Sequence, residues 1–288
     1  MQQSIRDKYK LTEQENEKIY NQIEQEVFGE VPTSEKPITI IVGGQSGAGK
    51  GAVISYSKNE LIESGRNPII ITTDEYKPYH PKAKEIAKKY PTEYVEIIEQ
   101  YAGNWTGRVL KKAIDDKYDF IFEGTLKNDR ILKRIKEMHD RGFSIKTRVL
   151  AVPKLESLIS LHERYQQQID TIGLGRLISI KQHNMAYNGI PSVIDQIEKS
   201  GLCDVEVFIR GEELHKPKMV YSSCVKNNSY ITARQALEEC RKNQAYKTSK
   251  SAKQRIDTLK QQFINRNASK EEMEQLNELE EEFLNYIR

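Results

Sequence analysis

The chain has 288 residues, about twice the length of a typical domain, so it can hold one large domain with extensions or two small domains. Charged residues make up 30% and hydrophobic residues 37% of the sequence, which excludes wholesale disorder and predicts a normal core with polar extensions. The 45 Lys and Arg nearly balance the 42 Asp and Glu, and this net charge of +3 favours neither a nucleic-acid partner nor a membrane surface.

The beginning of the chain shows neither the apolar core of a signal peptide nor the Arg-rich pattern of a transit peptide. No later run approaches the roughly 18 apolar residues of a membrane span, so the sequence predicts a cytoplasmic protein. The three cysteines show no paired spacing and have no nearby His at metal-ligand spacing. We therefore expect no dedicated set of metal-binding residues.

Residues 1–36 are predicted to form an amphipathic helix and a linker. The stretch Thr12–Glu15 has the pattern of a capping box, in which each of the two end residues bonds to the backbone of the other. Apolar residues at helical spacing follow it at Ile19, Ile23 and Phe28. A proline-containing stretch then ends the helix, so the main domain is expected to begin at Pro37.

Residues 37–225 are predicted to form the main domain, because short apolar runs alternate there with helical stretches. The predicted strands are Ile38–Val42, Pro68–Ile71, Tyr118–Phe122, Lys146–Val152 and Val205–Ile209. Each run is apolar on both faces, as in a buried parallel sheet, and each intervening segment is long enough for a crossover helix. The sequence therefore predicts an α/β fold with a doubly wound, mostly parallel sheet and helical extensions at both ends.

Residues 226–288 are predicted to form a polar helical tail. Apolar residues near helical spacing indicate two amphipathic helices, and Asn267 begins the break between them. The stretch Ser269–Glu272 has a second capping-box pattern. This tail either packs on the main domain or provides a docking surface for another protein.

A glycine-rich loop follows the first predicted strand and precedes a helical stretch. Residues Gly44 to Lys50 fit the pattern G-x-x-x-x-G-K, in which backbone N–H groups and a lysine surround phosphate oxygens. The positive end of the next helix adds to the attraction for anions. The residues predicted to bind the nucleotide are Gly44, Gln45, Ser46, Gly47, Ala48, Gly49, Lys50 and Gly51. The alternative, a glycine turn without a ligand, does not explain the lysine.

Gly51 departs from the usual pattern of such loops. Ser or Thr normally follows the loop lysine and offers a hydroxyl group to Mg²⁺. Because glycine has no hydroxyl, direct coordination from this position is lost. We therefore expect Mg²⁺ to be bound through water and through acidic residues elsewhere.

Acidic residues follow two of the predicted strands. Asp74 comes just after the second strand, at the edge of the sheet where open α/β sheets bind ligands, and is our candidate for the catalytic base. Glu123 follows the third strand, and we expect it to face metal, water or substrate together with the weaker candidate Thr125. The structural alternatives are a helix cap for Asp74 and a loop-amide contact for Glu123.

Two arginines lie in segments that we predict to form a lid over the site. Arg164 falls in a helical stretch, and Arg176 follows a glycine-containing loop. Guanidinium groups bind phosphoryl oxygens in a bidentate manner, so both are candidates for stabilising the transferred phosphate. The alternative is that they form ordinary surface ion pairs.

Three further residues have mainly structural interpretations. His80 lies in a proline-rich turn near Asp74, where a structural role is favoured over catalysis. Tyr101 and Trp105 are four residues apart on a predicted helix, so they either stack on a base or sugar or belong to the core.

In this order, the motifs resemble those of the zeta toxins, the kinase component of epsilon/zeta toxin–antitoxin systems. The resemblance covers about Pro37 to Arg210. It rests on the phosphate loop, on the stretch from Asp74 through His80-Pro81, and on Glu123-Gly-Thr125. It continues through Ala151-Val-Pro153, Glu163-Arg-Tyr165 and Arg176.

The resemblance implies a P-loop kinase that transfers the γ-phosphate of ATP to the 3'-hydroxyl of the amino sugar in UDP-N-acetylglucosamine. It implies that Asp74 acts as base, that Lys50 binds the phosphates, and that Arg164 and Arg176 stabilise the transferred group. It also implies Mg²⁺ as cofactor, a nucleotide-sugar substrate and an antitoxin protein as partner. Two alternatives are a kinase of another small molecule, such as a nucleotide or an antibiotic, and a non-catalytic nucleotide-binding module.

Overall fold

A computed structural model describes residues 2–173, 175–211 and 216–287. Its centre is a sheet of six strands in the order β2-β3-β1-β4-β5-β6. The strands are β1 (Ile38–Gly43), β2 (Ile69–Ile71), β3 (Phe120–Gly124), β4 (Ser144–Leu150), β5 (Asp204–Ile209) and β6 (Lys218–Ser222). The first five are parallel, and β6 pairs antiparallel with β5.

The helices surround this sheet and continue beyond it. They are α1 (Gln2–Lys8), α2 (Glu13–Phe28), α3 (Lys50–Glu63), α4 (Thr73–Tyr76), α5 (Ala83–Lys89), α6 (Pro91–Asp115), α7 (Arg130–Asp140), α8 (Lys154–Ile172), α9 (Ile180–Ser200), α10 (Ala233–Asn243), α11 (Ala245–Asn265) and α12 (Lys270–Ile287). None of the described helices is long and apolar enough to cross a membrane.

The predicted α/β fold with a mostly parallel sheet is confirmed. Strand β1 lies between β3 and β4, and all its residues after Ile38 are buried, as expected for a strand covered on both faces. Strand β4 begins and ends two residues earlier than the predicted run Lys146–Val152. The antiparallel strand β6 was not predicted, because the sequence Lys218–Ser222 is neither apolar throughout nor strictly alternating.

The N-terminal helix α2 packs into the main core. Its capping box is present, since the side chains of Thr12 and Glu15 bond to each other's backbone N–H groups. Trp105 is fully buried in this core and donates a hydrogen bond from its ring nitrogen to Asn16, at 2.8 Å. The hydroxyl of Tyr101 accepts a hydrogen bond from the backbone N–H of Leu11. Both aromatic residues therefore have the structural role, and neither lines the cleft beside the glycine-rich loop.

The C-terminal residues form three helices. The two predicted amphipathic helices are α11 and α12, which pack with α8 and α9 around buried residues such as Phe263 and Leu276. The capping box at Ser269 is present. Helix α10, which was not predicted, packs against the main core through Leu237 and Cys240. In the described part of the chain, the tail is thus joined closely to the main domain.

Candidate functional site

The glycine-rich loop connects β1 to α3 at the carboxyl edge of the sheet. Gly47 and Gly49 adopt φ angles of 77° and 94°, which side chains strongly disfavour. A Cβ at Gly47 would also lie 1.9 Å from the backbone oxygen of Ser157. Glycine is therefore needed at Gly47 for both its backbone conformation and its close approach to α8. Since Lys50 is the first residue of α3, the loop lies at the positive end of that helix.

The side chain of Lys50 is held within the loop. Its Nζ donates to the backbone oxygens of Gly44 and Gln45, at 3.2 and 3.3 Å, and lies 3.4 Å from a carboxylate oxygen of Glu123. Burial lowers the pKa of Lys50, and the nearby Glu123 partly opposes this effect. A phosphate group entering the loop would replace these partners with a stronger one.

The side chain of Gln45 points into the protein and is fully buried. Its Nε2 donates to the backbone oxygen of Val152 at 3.0 Å and to the hydroxyl of Ser157 at 3.1 Å. The predicted contact of Gln45 with a nucleotide can therefore involve its backbone but not its side chain. Ala48 is also fully buried, whereas Ser46 lines the cleft.

A cleft of about 380 Å³ opens beside the loop. It brings together seven of the residues predicted from the sequence: Ser46, Lys50, Asp74, Glu123, Thr125, Arg164 and Arg176. The strand register explains part of this grouping, because Ile71 of β2 pairs with Phe122 of β3 and both strands end at the same edge. Glu123 in turn pairs with Val42, next to the start of the loop.

Asp74 lies in the first turn of α4, and Thr72, not Asp74, is the N-cap residue of this helix. Its carboxylate forms ion pairs with Lys77 and, at 3.2 Å, with Arg176. Loss of water around the group raises the pKa of Asp74, but Lys77, Arg176 and Arg164 outweigh this effect and lower the pKa below its ordinary value. Asp74 is therefore a carboxylate at neutral pH.

The two candidate lid arginines differ in their surroundings. Arg176 bonds to Asp74 and, at 2.8 Å, to Glu99 of α6. Arg164 projects into the cleft from α8 and is exposed. Among the side chains that the structure describes, none forms a hydrogen bond or ion pair with Arg164, so its guanidinium can meet an anion.

Sequence analysis missed several cleft residues. Glu99 lies in the middle of α6, where no local pattern distinguishes it from a surface residue. Lys127, Arg130 and Arg134 form a basic group at the start of α7, which we call the α7 basic group. Arg134 also lies over the ring of Phe122, at 5.6 Å. The density of cations after the third strand was the available signal for this group.

The site fits a nucleotide better than it fits a metal ion held by protein alone. The loop offers backbone N–H groups, a helix end and a lysine to phosphate oxygens. The described residues contain no group of three or more His, Cys, Asp or Glu placed to hold a metal. A Mg²⁺ ion would therefore depend on nucleotide phosphates, on water, and on a single carboxylate such as Glu123.

A phosphate loop between the first strand and its helix, at the carboxyl edge of a mostly parallel sheet, defines a P-loop α/β protein. The sequence profile of the zeta toxin family matches residues 21–219. The chain belongs to the zeta toxin family.

Individual zeta toxins are distant relatives of this chain. Toxin zeta of Enterococcus hirae is 27% identical over 179 residues, which cover 61% of this chain and 62% of the relative. Toxin PezT of Streptococcus pneumoniae is 28% identical over 136 residues, which cover 47% of this chain and 53% of the relative. The chain thus spans less than two thirds of the length of these relatives.

Solved structures confirm the P-loop kinase fold. The PezAT chromosomal toxin–antitoxin system of Streptococcus pneumoniae matches with a TM-score of 0.71 and 21% identity, over 87% of this chain and 98% of the other. The AvrRxo1-ORF1:ORF2 structure with ATP matches with a TM-score of 0.54 and 14% identity, over 78% of this chain and 71% of the other. At these identities, the matches establish the fold alone.

Proposed function

We propose that the protein is a toxin kinase that transfers the γ-phosphate of ATP to the 3'-hydroxyl of the amino sugar in UDP-N-acetylglucosamine. The observation that carries the proposal is the meeting of Lys50, Asp74 and Arg164 around one cleft. These residues provide a phosphate ligand, a proton acceptor and a cation for the transferred group. Membership of the zeta toxin family supports the same activity.

ATP would bind with its phosphates in the loop. Lys50 would exchange its contacts with Gly44, Gln45 and Glu123 for the β- and γ-phosphate oxygens. The AvrRxo1 structure with ATP has the same fold, which supports ATP as the nucleotide. A Mg²⁺ ion bound with ATP supplies charge neutralisation at these phosphates. Glu123, released from Lys50, is then available to the shell of the metal or to the acceptor.

Asp74 would accept the proton of the attacking hydroxyl and orient its oxygen toward the γ-phosphorus. The oxygen–phosphorus bond then forms as the bond to the ADP oxygen breaks, and the proton remains on Asp74 until water removes it. A carboxylate with a lowered pKa is a weak base. Its main task is therefore to hold and aim the hydroxyl, as expected when the phosphoryl group is transferred through a loose transition state.

The α7 basic group supports an acceptor that carries phosphates. Lys127, Arg130 and Arg134 are exposed, and in the described part of the chain none of them forms an ion pair. Cations that line a cleft without acidic partners favour an anionic ligand, and the diphosphate of a nucleotide sugar meets this requirement. Thr125 and Glu123 line the same cleft as this group and the phosphate loop, and the sugar would bind beside them.

An antitoxin protein is proposed as the partner of this chain. The fold of this chain matches that of a chain in the structure of the PezAT toxin–antitoxin system.

The substrate is tested by incubating the purified protein with ATP, Mg²⁺ and a panel of acceptors. The panel contains UDP-N-acetylglucosamine, the free amino sugar, UDP alone and representative nucleosides. We expect UDP-N-acetylglucosamine alone to gain a phosphate efficiently, because it joins the sugar hydroxyl to the diphosphate that the α7 basic group binds. Transfer to a nucleoside instead would reject the proposed acceptor. ATP binding without transfer to any acceptor in the panel or in a metabolite extract would favour a nucleotide-binding module.

The missing hydroxyl at Gly51 gives a test of metal binding. Replacing Gly51 by threonine is expected to lower the Mg²⁺ concentration that gives half-maximal activity, because the added hydroxyl can coordinate the ion. A Cβ at this position meets no atom within 4 Å, so the substitution fits the structure. Gly51→Ala is the matched control, since it adds the Cβ without the hydroxyl. A Mg²⁺ requirement that is equal in the two variants would contradict direct coordination, and loss of all activity would show that the loop needs glycine here.

The lid arginines are expected to act on the transition state. Arg164→Ala and Arg176→Ala should each lower kcat more than they weaken ATP binding, because the charge they stabilise develops during transfer. Steady-state kinetics combined with calorimetric ATP titration separates the two effects. Equal losses in rate and affinity would show instead that the arginines bind ground-state ATP. Arg234, an exposed residue of α10, provides the control variant Arg234→Ala.

A further inference from the structure

Arg241 of α10 reaches the phosphate loop from the C-terminal part of the chain. Its Nη2 donates to the side-chain oxygen of Gln45 at 3.2 Å, and its Nη1 donates to the backbone oxygen of Tyr187 at 3.0 Å. The guanidinium also lies over the Tyr187 ring, 3.9 Å from its centre. Arg241 is only 5% exposed. This long side chain is therefore fixed in one position beneath the loop.

None of the carboxylates whose side chains the structure describes forms an ion pair with Arg241. Burial lowers the pKa of Arg241 to about 10, while Tyr187 and the more distant Glu238 oppose the shift, so the group stays charged at neutral pH. A buried cation with so few partners is costly to maintain. Since Arg241 lies next to the phosphate loop, a role in holding that loop explains why the buried charge is kept.

Gln45 connects Arg241 to the loop residues that would bind phosphate. Its side-chain nitrogen is held by Val152 and Ser157, at the start of α8. Its backbone oxygen accepts hydrogen bonds from the N–H of Ala48 at 3.1 Å and from the Nζ of Lys50 at 3.3 Å. Gln45 is thus bonded on one side to Arg241 and on the other to the loop lysine.

A second connection runs from α11 to the same loop. Arg255 pairs with Glu156 at 2.8 Å, and Glu156 pairs with Arg210 at 2.7 Å. Arg210 donates to the backbone oxygens of Ala48, at 3.2 Å, and of Gly47. Two chains of contacts from the C-terminal helices therefore converge on the loop. Both start outside residues 21–219, which are the residues that match the family profile.

We propose that Arg241 is a positioning residue of the phosphate loop, which it holds in its ATP-binding shape through the side chain of Gln45. The C-terminal segment that carries α10 is accordingly part of the nucleotide site. This inference rests on the proposed function, because it assumes that the loop binds ATP.

The test measures ATP affinity by calorimetry for the full chain and for Arg241→Met, Gln45→Leu and the double variant. Each single variant is expected to weaken ATP binding about tenfold. Arg241→Met removes the buried hydrogen bond from the guanidinium to Gln45, and Gln45→Leu removes that bond together with those to Val152 and Ser157. The double variant should bind ATP with an affinity no lower than that of the single variant with the lower affinity, because both substitutions remove the contact between Arg241 and Gln45. Arg234→Met, an exposed change on the same helix, should bind ATP like the wild type.

If Arg241 had only a structural role, Arg241→Met would lower the melting temperature without changing the affinity for ATP. The effects of the two substitutions on the free energy of unfolding would then also be additive. Either result overturns the proposal. If Arg241→Met does not fold, Arg241→Lys decides the question. Lysine keeps the charge but reaches one of the two acceptors, so we expect affinity about threefold below that of the wild type, and unchanged affinity contradicts the proposal. A wild-type protein that does not bind ATP would overturn the proposed function itself.

Discussion

Replacing Lys50 by alanine is expected to lower phosphate transfer by about 10²- to 10³-fold, the usual cost of removing one preorganised group that stabilises charge in a transition state. Gly47 and Gly49, whose positive φ angles shape the loop backbone, are unchanged in this variant. Expression of the variant should also no longer inhibit bacterial growth. Chromatography of the phosphorylated product measures the loss directly.

Lys58 provides the matched control for this substitution. It is an exposed lysine on the same helix, and it does not line the cleft. Lys58→Ala should transfer phosphate at the rate of the wild type. Unchanged turnover in Lys50→Ala would contradict the role of the loop as the phosphate site.

Replacing Asp74 by asparagine is expected to reduce transfer by about 10²- to 10⁴-fold, the range reported for general-base assistance by a positioned side chain. Asparagine keeps the size of the side chain but removes its charge and its basic lone pair. ATP binding should survive, because the loop itself is unchanged. Asp140→Asn, an exposed change at the end of α7, is the control.

The pH dependence of Asp74 follows from its surroundings. The nearby cations lower the pKa of Asp74 below its ordinary value of 3.8, so the carboxylate becomes protonated only when the pH falls below that value. Asp74 should therefore cause no loss of activity between neutral and mildly acidic pH. A rate that falls with an inflection near neutral pH in the wild type, but not in Asp74→Asn, would contradict this assignment. If transfer in Asp74→Asn stayed near the wild-type rate, Glu123 would be the next candidate for the base.

The parts of the site that sequence analysis predicted are those set by local pattern or by sheet geometry. The loop from Gly44 to Lys50 is contiguous, and its glycines reveal backbone angles that other residues avoid. Asp74 and Glu123 were predicted because parallel strands all end at one edge, so that residues after different strands meet there. Neither inference needs knowledge of how side chains pack.

The parts that were missed depend on contacts between distant residues. Arg241 meets Gln45 across 196 positions of sequence, and no local pattern marks either side chain as a partner. Gln45 was predicted to bind the nucleotide as part of the loop, and the contact of its side chain with α10 was not predicted. Glu99 is a similar case, because its contact with Arg176 joins residues that are 77 positions apart in the sequence.

The ends of the chain were predicted as helices, and packing on the main domain was one of the two interpretations of the C-terminal tail, but the residues that the helices pack against were not predicted. Capping boxes at Thr12 and Ser269 are local, and both are present. The burial of Trp105 against α2 and the packing of α10 on the main core require the complete fold. Amphipathic periodicity shows that a helix has an apolar face, but it does not identify what covers that face.

The most direct test of this account follows a radiolabelled γ-phosphate from ATP into a bacterial metabolite extract. The extract is incubated with Mg²⁺ and with the wild type, Lys50→Ala or Asp74→Asn, and the labelled products are separated and identified by mass spectrometry. The account predicts one dominant product with the wild type, UDP-N-acetylglucosamine carrying an additional phosphate, and almost none with either variant. Label released only as inorganic phosphate, or a product formed equally by all three proteins, would contradict it.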